Sequence, residues 1–103
     1  MKVLFRWKAC SRSKSIESFI IDKASEFEHF NFLNQNIKFE VIHYQKQDVF
    51  KIRINLAAKT SKKILRAEAA AENIYTAINN AFIKIEDQIR KVKTKIINKR
   101  SVK

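Results

Sequence analysis

Apolar residues along this chain follow two rhythms. Residues 2–9 alternate, with Val3, Phe5, Trp7 and Ala9 in one phase and Lys2, Leu4, Arg6 and Lys8 in the other. A period of two puts the phases on opposite faces of a strand. A polar run from Ser11 to Ser15 follows. Ser13 in that run suits a helix N-cap, because its hydroxyl can accept from an unpaired first-turn amide. Ile16, Phe19, Ile20, Phe27 and Phe30 then recur at helical spacing and predict a helix over residues 14–30. The polar stretch Asn31–Asn36 predicts a loop.

Alternation returns three times. Ile37, Phe39, Val41 and His43 oppose Lys38, Glu40, Ile42 and Tyr44; Gln45–Asp48 makes a turn. Phe50, Ile52, Ile54 and Leu56 oppose Lys51, Arg53 and Asn55, and Lys59–Ser61 makes another turn. Leu65, Ala67 and Ala69 oppose Ile64, Arg66 and Glu68 in a weaker strand whose alanines also suit a helix. The last element has the longest rhythm. Ile74, Ile78, Ala81, Phe82, Ile85, Ile89, Val92 and Ile96 form a helical stripe, with Asn73 as N-cap. Glu72 before it and lysines towards its end both suit the helix dipole.

The resulting order is β-α-β-β-β-α. Short loops favour antiparallel neighbours. An α+β fold follows, a four-stranded, mainly antiparallel sheet with two helices packed on one face.

Composition narrows the function. At 103 residues the chain is one domain with one modest core. It has no Gly and no Pro, which excludes Gly-rich phosphate loops, dinucleotide fingerprints and Pro-rich linkers. Cys10 stands alone, and with His29 and His43 it offers no metal-ligand spacing, so no metal and no cofactor are expected. A reduced, cytoplasmic setting fits one cysteine. The start MKVLFRWKAC lacks a signal peptide's apolar centre, and no apolar run reaches the length of a membrane span. Neither histidine lies at a readable spacing from a nucleophile, so no enzyme activity is expected.

Charge changes the picture most. Lys and Arg number 22 against 10 acids, a net charge of +12. Residues 1–51 carry nine basic and six acidic side chains, whereas residues 52–103 carry thirteen and four. On the last helix, Lys84, Gln88, Lys91 and Lys95 line one edge of the apolar stripe, while Arg90 and Lys93 lie across the other edge and back. The excess continues through Lys99 and Arg100, and only Glu86 and Asp87 stand nearby. Unpaired cations repel one another in the folded state, and a polyanion relieves that cost. Lys23 falls in the middle of the first helix's apolar face, between Phe19, Ile20 and Phe27. Its ammonium must either reach out to water or meet an anion.

The run Asn73-Ile74-Tyr75-Thr76-Ala77-Ile78, followed by Lys84-Ile85-Glu86-Asp87-Gln88-Ile89-Arg90-Lys91 and Lys93, resembles the ribosome hibernation-promoting factor / ribosome-associated inhibitor A family. Ile16, Phe19, Ile20, Lys23, Phe27 and Glu28 are similar to the family's first helix, and Leu65–Ala69 to its fourth strand. The resemblance spans about residues 1–97, leaving 98–103 as a basic tail. It implies a non-enzymatic translation inhibitor active in stress or stationary phase. Such a protein binds the small ribosomal subunit in the mRNA and tRNA channel, alone or within the whole 70S ribosome. It also implies rRNA phosphate contacts from Lys23, Lys84, Arg90, Lys91, Lys93 and Lys95. Lys99 and Arg100 join them as candidates by charge.

Departures from the family also stand out. Asp87 and Glu26 occupy positions where the family commonly has basic residues. Trp7 stands where many relatives have Gly, and no Gly-rich turn occurs near Ala57-Ala58-Lys59. The chain also stops soon after the helix, which implies a short form that should not dimerise ribosomes unaided. The free protein is expected to be monomeric. Trp7, Phe39 and Tyr44 are aromatic candidates for base stacking, but Trp7 and Phe39 sit in the core phase of their strands. Tyr75 lies off the main stripe, where a half-buried position with a bonded hydroxyl is expected. Two other readings remain open: a general double-stranded-RNA-binding module, and an interaction protein that sets its basic helix on an acidic protein or lipid surface.

Overall fold

The computed structural model describes residues 1–59 and 64–101, with side chains through Thr94. Its elements are β1 (Lys2–Lys8), α1 (Lys14–Ser25), β2 (Leu33–Tyr44), β3 (Val49–Ala58), β4 (Ile64–Ala71) and α2 (Ile74–Ser101). The strands form one sheet in the order β1-β2-β3-β4. β1 and β2 run parallel, joined through α1, as a parallel pair requires. β2–β3 and β3–β4 are antiparallel. The α+β reading and the element order hold, and the alanine-rich segment 64–71 is a strand.

Both helices lie on one face. Ile37, Phe39 and Val41 of β2, Ile52, Ile54 and Leu56 of β3, and Leu65 of β4 are essentially inaccessible beneath Ile20 and Ala24 of α1 and Ala77, Ile78, Ala81 and Ile85 of α2. Each large side chain so buried contributes about 1.5–3 kcal/mol. Three rings join the layers: Phe82 of α2 lies 5.4 Å from Phe39 and 5.8 Å from Phe27.

Two boundaries differ from expectation. α1 stops at Ser25, not at residue 30. Beyond it the chain tightens into i→i+3 turns, with Glu26 N–H donating to Lys23 C=O, Glu28 to Ser25 and Phe30 to Phe27. Helical spacing persists into that stretch because the tightened turns still deliver Phe27 to the core. The segment Asn31–Asn36 is not all loop, since β2 begins at Leu33, which pairs with Ala58. Leu33 is fully buried and pins the segment, while Asn34, Gln35 and Asn36 bulge outward before pairing resumes at Ile37–Leu56. The turn expected at Lys59–Ser61 lies outside the described residues after Lys59.

Both N-caps form. Ser13 Oγ accepts from Ile16 N–H at 3.4 Å, and Asn73 Oδ1 accepts from Tyr75 N–H at 2.8 Å and Thr76 N–H at 3.3 Å. With no glycine to use, left-handed backbone falls on Ala9 (φ 56°) and Asp48 (φ 49°). Asp48 closes the β2–β3 hairpin, where its N–H reaches Gln45 C=O and its carboxylate meets His43 Nε2 at 3.1 Å. Ala9 ends β1 and turns the chain towards α1.

One buried acid fixes α1 to β1. Glu17 Oε2 accepts from the Trp7 indole at 3.2 Å and from Arg12 Nε at 2.8 Å, while Oε1 takes a second Arg12 nitrogen at 3.1 Å.

Candidate nucleic-acid interface

The cations of α2 fall on two flanks, separated by the helix's own core stripe. One flank faces α1. Arg90 there lines a hollow with Glu26, Phe27, His29, Phe30 and Ile89, and the Lys93 ammonium lies 5.8 Å from the centre of the Phe30 ring. Lys23 joins this flank from α1. Its ammonium sits 5.4 Å from the Phe19 ring centre and 5.7 Å from that of Phe82. Neither of the two ways out expected for Lys23 describes it fully. The charge is held over two aromatic faces, each of which attracts it electrostatically. Glu26 and Glu86 line the same hollow, so this flank mixes both signs.

The other flank faces β4. Lys84 Nζ donates to the Glu68 carbonyl at 2.8 Å. The Gln88 amide accepts from Arg66 N–H at 3.1 Å and donates to Arg66 C=O. These side chains satisfy backbone groups that an edge strand otherwise leaves open to pairing. Lys91, one turn on, is highly exposed and lies 3.3 Å from Asp87. The Asp87 departure therefore has a local effect, giving Lys91 an anion already. Lys95, Lys99 and Arg100 fall in the last turns of α2, where side chains lie outside the described residues.

The remaining single residues take structural places. Trp7 and Phe39 are partly and fully buried, and Phe5 stacks 6.4 Å from Trp7. Tyr75 is 41% exposed and meets Phe19 edge-on at 5.0 Å. Its hydroxyl, expected to be bonded, has no protein partner among the described residues. Cys10 Sγ donates to Val41 C=O at 3.7 Å, and burial raises its thiol pKa. His43 stacks on Phe50 at 4.5 Å, and His29 lies 4.1 Å from Phe30. Among the described residues, no group of three or more His, Cys, Asp or Glu is placed to hold a metal ion, and no helix is long and apolar enough to cross a membrane.

Sequence reasoning missed a second basic surface, the open face of the sheet. Strand register aligns its outward side chains in three rows. Leu4, Lys38, Asn55 and Arg66 form one row; Arg6, Glu40, Arg53 and Glu68 the next; Lys8, Ile42, Lys51 and Ala70 the third. Both acids stand in the middle row. Glu40 lies 3.1 Å from Arg53, 3.5 Å from Lys8 and 3.9 Å from Arg6. Glu68 lies 3.0 Å from Arg53 and 3.1 Å from Lys51, and the hydrogen bond from Lys51 leads the interactions that lower its pKa. The signal lay in the polar phase of the strands, but it stayed hidden until register brought those residues together.

Comparison with known proteins follows the same outline. A family described as sigma 54 modulation protein / S30EA ribosomal protein matches residues 3–97. The chain belongs to that family. The resemblance to hibernation-promoting factors carried by α2 points to the same group. Among solved structures, a ribosomal subunit interface protein from Coxiella burnetii superposes with a TM-score of 0.80 at 15% identity, over 91% of this chain and 99% of that one. The Thermus thermophilus protein Y N-terminal domain superposes with a TM-score of 0.76, also at 15% identity, over 89% and 99%. At such identity these likenesses establish the fold. No curated protein matches the chain. The S30EA match contains Lys23, Lys84, Arg90, Lys91, Lys93 and Lys95, while Lys99 and Arg100 lie beyond it.

Proposed function

We propose that the protein is a ribosome hibernation factor that binds the small ribosomal subunit in the mRNA and tRNA channel and inhibits translation under stress or in stationary phase. The observation that carries this reading is the family match over residues 3–97, for a family described as including a ribosomal protein. The two superposing proteins support it, one named for the ribosomal subunit interface and the other protein Y. The charge of +12 agrees with a polyanionic partner.

The mechanism is steric occupancy and involves no chemical reaction. Residues 1–97 form the ribosome-binding domain, with 98–103 as a basic tail. The rRNA contacts run through Lys23, Lys84, Arg90, Lys91, Lys93, Lys95, Lys99 and Arg100. They address backbone and shape rather than base sequence. The free protein is a cytoplasmic monomer without cofactor, and it works on the small subunit or the 70S ribosome.

Sucrose-gradient sedimentation of a stationary-phase lysate tests this. The protein is expected in the small-subunit and whole-ribosome fractions, and Lys84→Glu, Lys91→Glu and Lys95→Glu together move it to the top. A wild-type protein that stays at the top contradicts ribosome binding. A triple variant that stays on ribosomes contradicts the role of this flank. Competition by free duplex RNA as strong as by small subunits would favour the general RNA-binding module.

A further inference from the structure

We propose that the open face of the sheet is a second RNA-backbone surface, so that the domain bridges two RNA segments held on opposite sides. The inference rests on the ribosomal reading above and adds a surface that the helix-based reading leaves unused.

The two faces are separated by the whole core. α1 and α2 cover one side of the sheet; Lys38, Arg53 and Arg66 point from the other. One RNA segment docked on the helices therefore cannot reach the three rows of the open face. Those rows carry seven outward cations once Lys2, beyond the Leu4 row, is counted, and two acids. The acids are spent in the middle row, where they hold Arg6, Lys8, Lys51 and Arg53 in place. Lys2, Lys38 and Arg66 have no acid partner among the described residues.

Three features select a phosphate backbone over a protein partner. Protein interfaces place apolar groups at the centre and polar groups at the rim. This face does the reverse, with its centre charged and its exposed apolar residues, Leu4, Tyr44 and Ile64, at an edge or an end. Next, Arg66, which has no acid partner among the described residues, presents a planar fork that suits phosphate oxygens. Finally, the surface between β1 and β2 dips into a shallow hollow lined by Leu4, Arg6, Lys38, Glu40 and Asn55. Outward residues along each strand recur about every 6.6 Å, so Lys38 and its neighbours form rows that a strand of RNA can follow.

The test compares binding of purified small subunits by wild type, by Lys38→Glu/Arg66→Glu, and by Lys91→Glu/Lys93→Glu across a salt series. Circular dichroism confirms folding of each. Neither Lys38 nor Arg66 has a side-chain partner in the acid network, so their reversal spares it. The sheet-face variant is expected to weaken binding and to flatten the logarithmic salt slope by about two, as the loss of two phosphate contacts does. Unchanged affinity and slope for this variant, with loss for the helix-face variant, overturns the second surface and leaves the ribosomal reading standing. Failure of wild type to bind small subunits overturns both. Bridging itself is read by tethering iron-EDTA at Asn55→Cys or at Ser18→Cys in a Cys10→Ser background. Hydroxyl-radical cleavage of two separate rRNA segments supports the bridge; cleavage of one shared segment, or none from the sheet face, overturns it.

Discussion

Replacing the buried Glu17 with Ala is expected to cost more stability than removing its exposed partner Arg12. Glu17 is one residue that β1, the β1–α1 loop and α1 share. Its carboxylate holds the Trp7 indole at 3.2 Å and two Arg12 nitrogens at 2.8 and 3.1 Å. The Arg12 side chain is 70% exposed and that of Glu17 11%. Solvent screens the ion pair, so the Arg12 part is worth no more than about 1 kcal/mol. The indole N–H is half-buried and loses its acceptor, at about 1–3 kcal/mol. Relief of the carboxylate's own desolvation offsets part of this, leaving a net loss of about 2 kcal/mol. For a domain of this size that lowers Tm by about 8–16 °C. Thermal unfolding followed by circular dichroism gives the shift. Trp7, the single tryptophan, reports the same junction by its emission. Arg12→Ala should cost much less, about 0.5 kcal/mol, because it removes only the screened pair. Equal losses for the two variants, or a Glu17→Ala loss below that of Arg12→Ala, would refute the reasoning.

Three further predictions follow from single contacts. Gln88→Ala should lower stability by about 1 kcal/mol, since water replaces part of the lost bonding at the exposed β4 edge; hydrogen exchange at the Arg66 amide should speed up, and unchanged exchange would contradict the pairing. Ala9→Gly should raise stability by up to about 1 kcal/mol, because φ of 56° strains a residue with a Cβ by more than the extra freedom glycine brings to the unfolded chain; a lower urea midpoint would count against it. Asp87→Asn should cost at most about 0.5 kcal/mol of stability, while releasing Lys91 and steepening the salt slope of small-subunit binding by up to about one; an unchanged slope for this variant would show that Lys91 takes no part.

Much of the fold was legible because its signals are local and repeated. The α2 stripe runs through Ile74, Ile78, Phe82, Ile85 and Ile89, and every one of the last four is buried. The strand alternations and both N-caps were equally readable. What escaped depends on contacts distant in sequence. Phe27 and Phe30 keep near-helical spacing although the helix has ended, since the i→i+3 turns after Ser25 still carry Phe27 into the core and set Phe30 against it. Leu33 joins β2 because its burial overrides the polar residues after it. The candidate site was legible as a count of cations more than as an arrangement. Nothing in the spacing of Lys84 foretells that it caps the Glu68 carbonyl, or that Lys23 lies over rings from two helices. The open-face array was hidden for the same reason, because its rows run across strands distant in sequence, as in Arg6, Glu40, Arg53 and Glu68.

The central claim is that a folded basic domain grips the small subunit through phosphate contacts. Its most direct test is equilibrium binding of the pure protein to purified small subunits as salt is raised from about 50 to 200 mM. Six or more phosphate contacts predict a fall in affinity of about a thousandfold or more across that range. Tight binding that does not change with salt would contradict the electrostatic account, and absence of binding at low salt would contradict the ribosomal function itself.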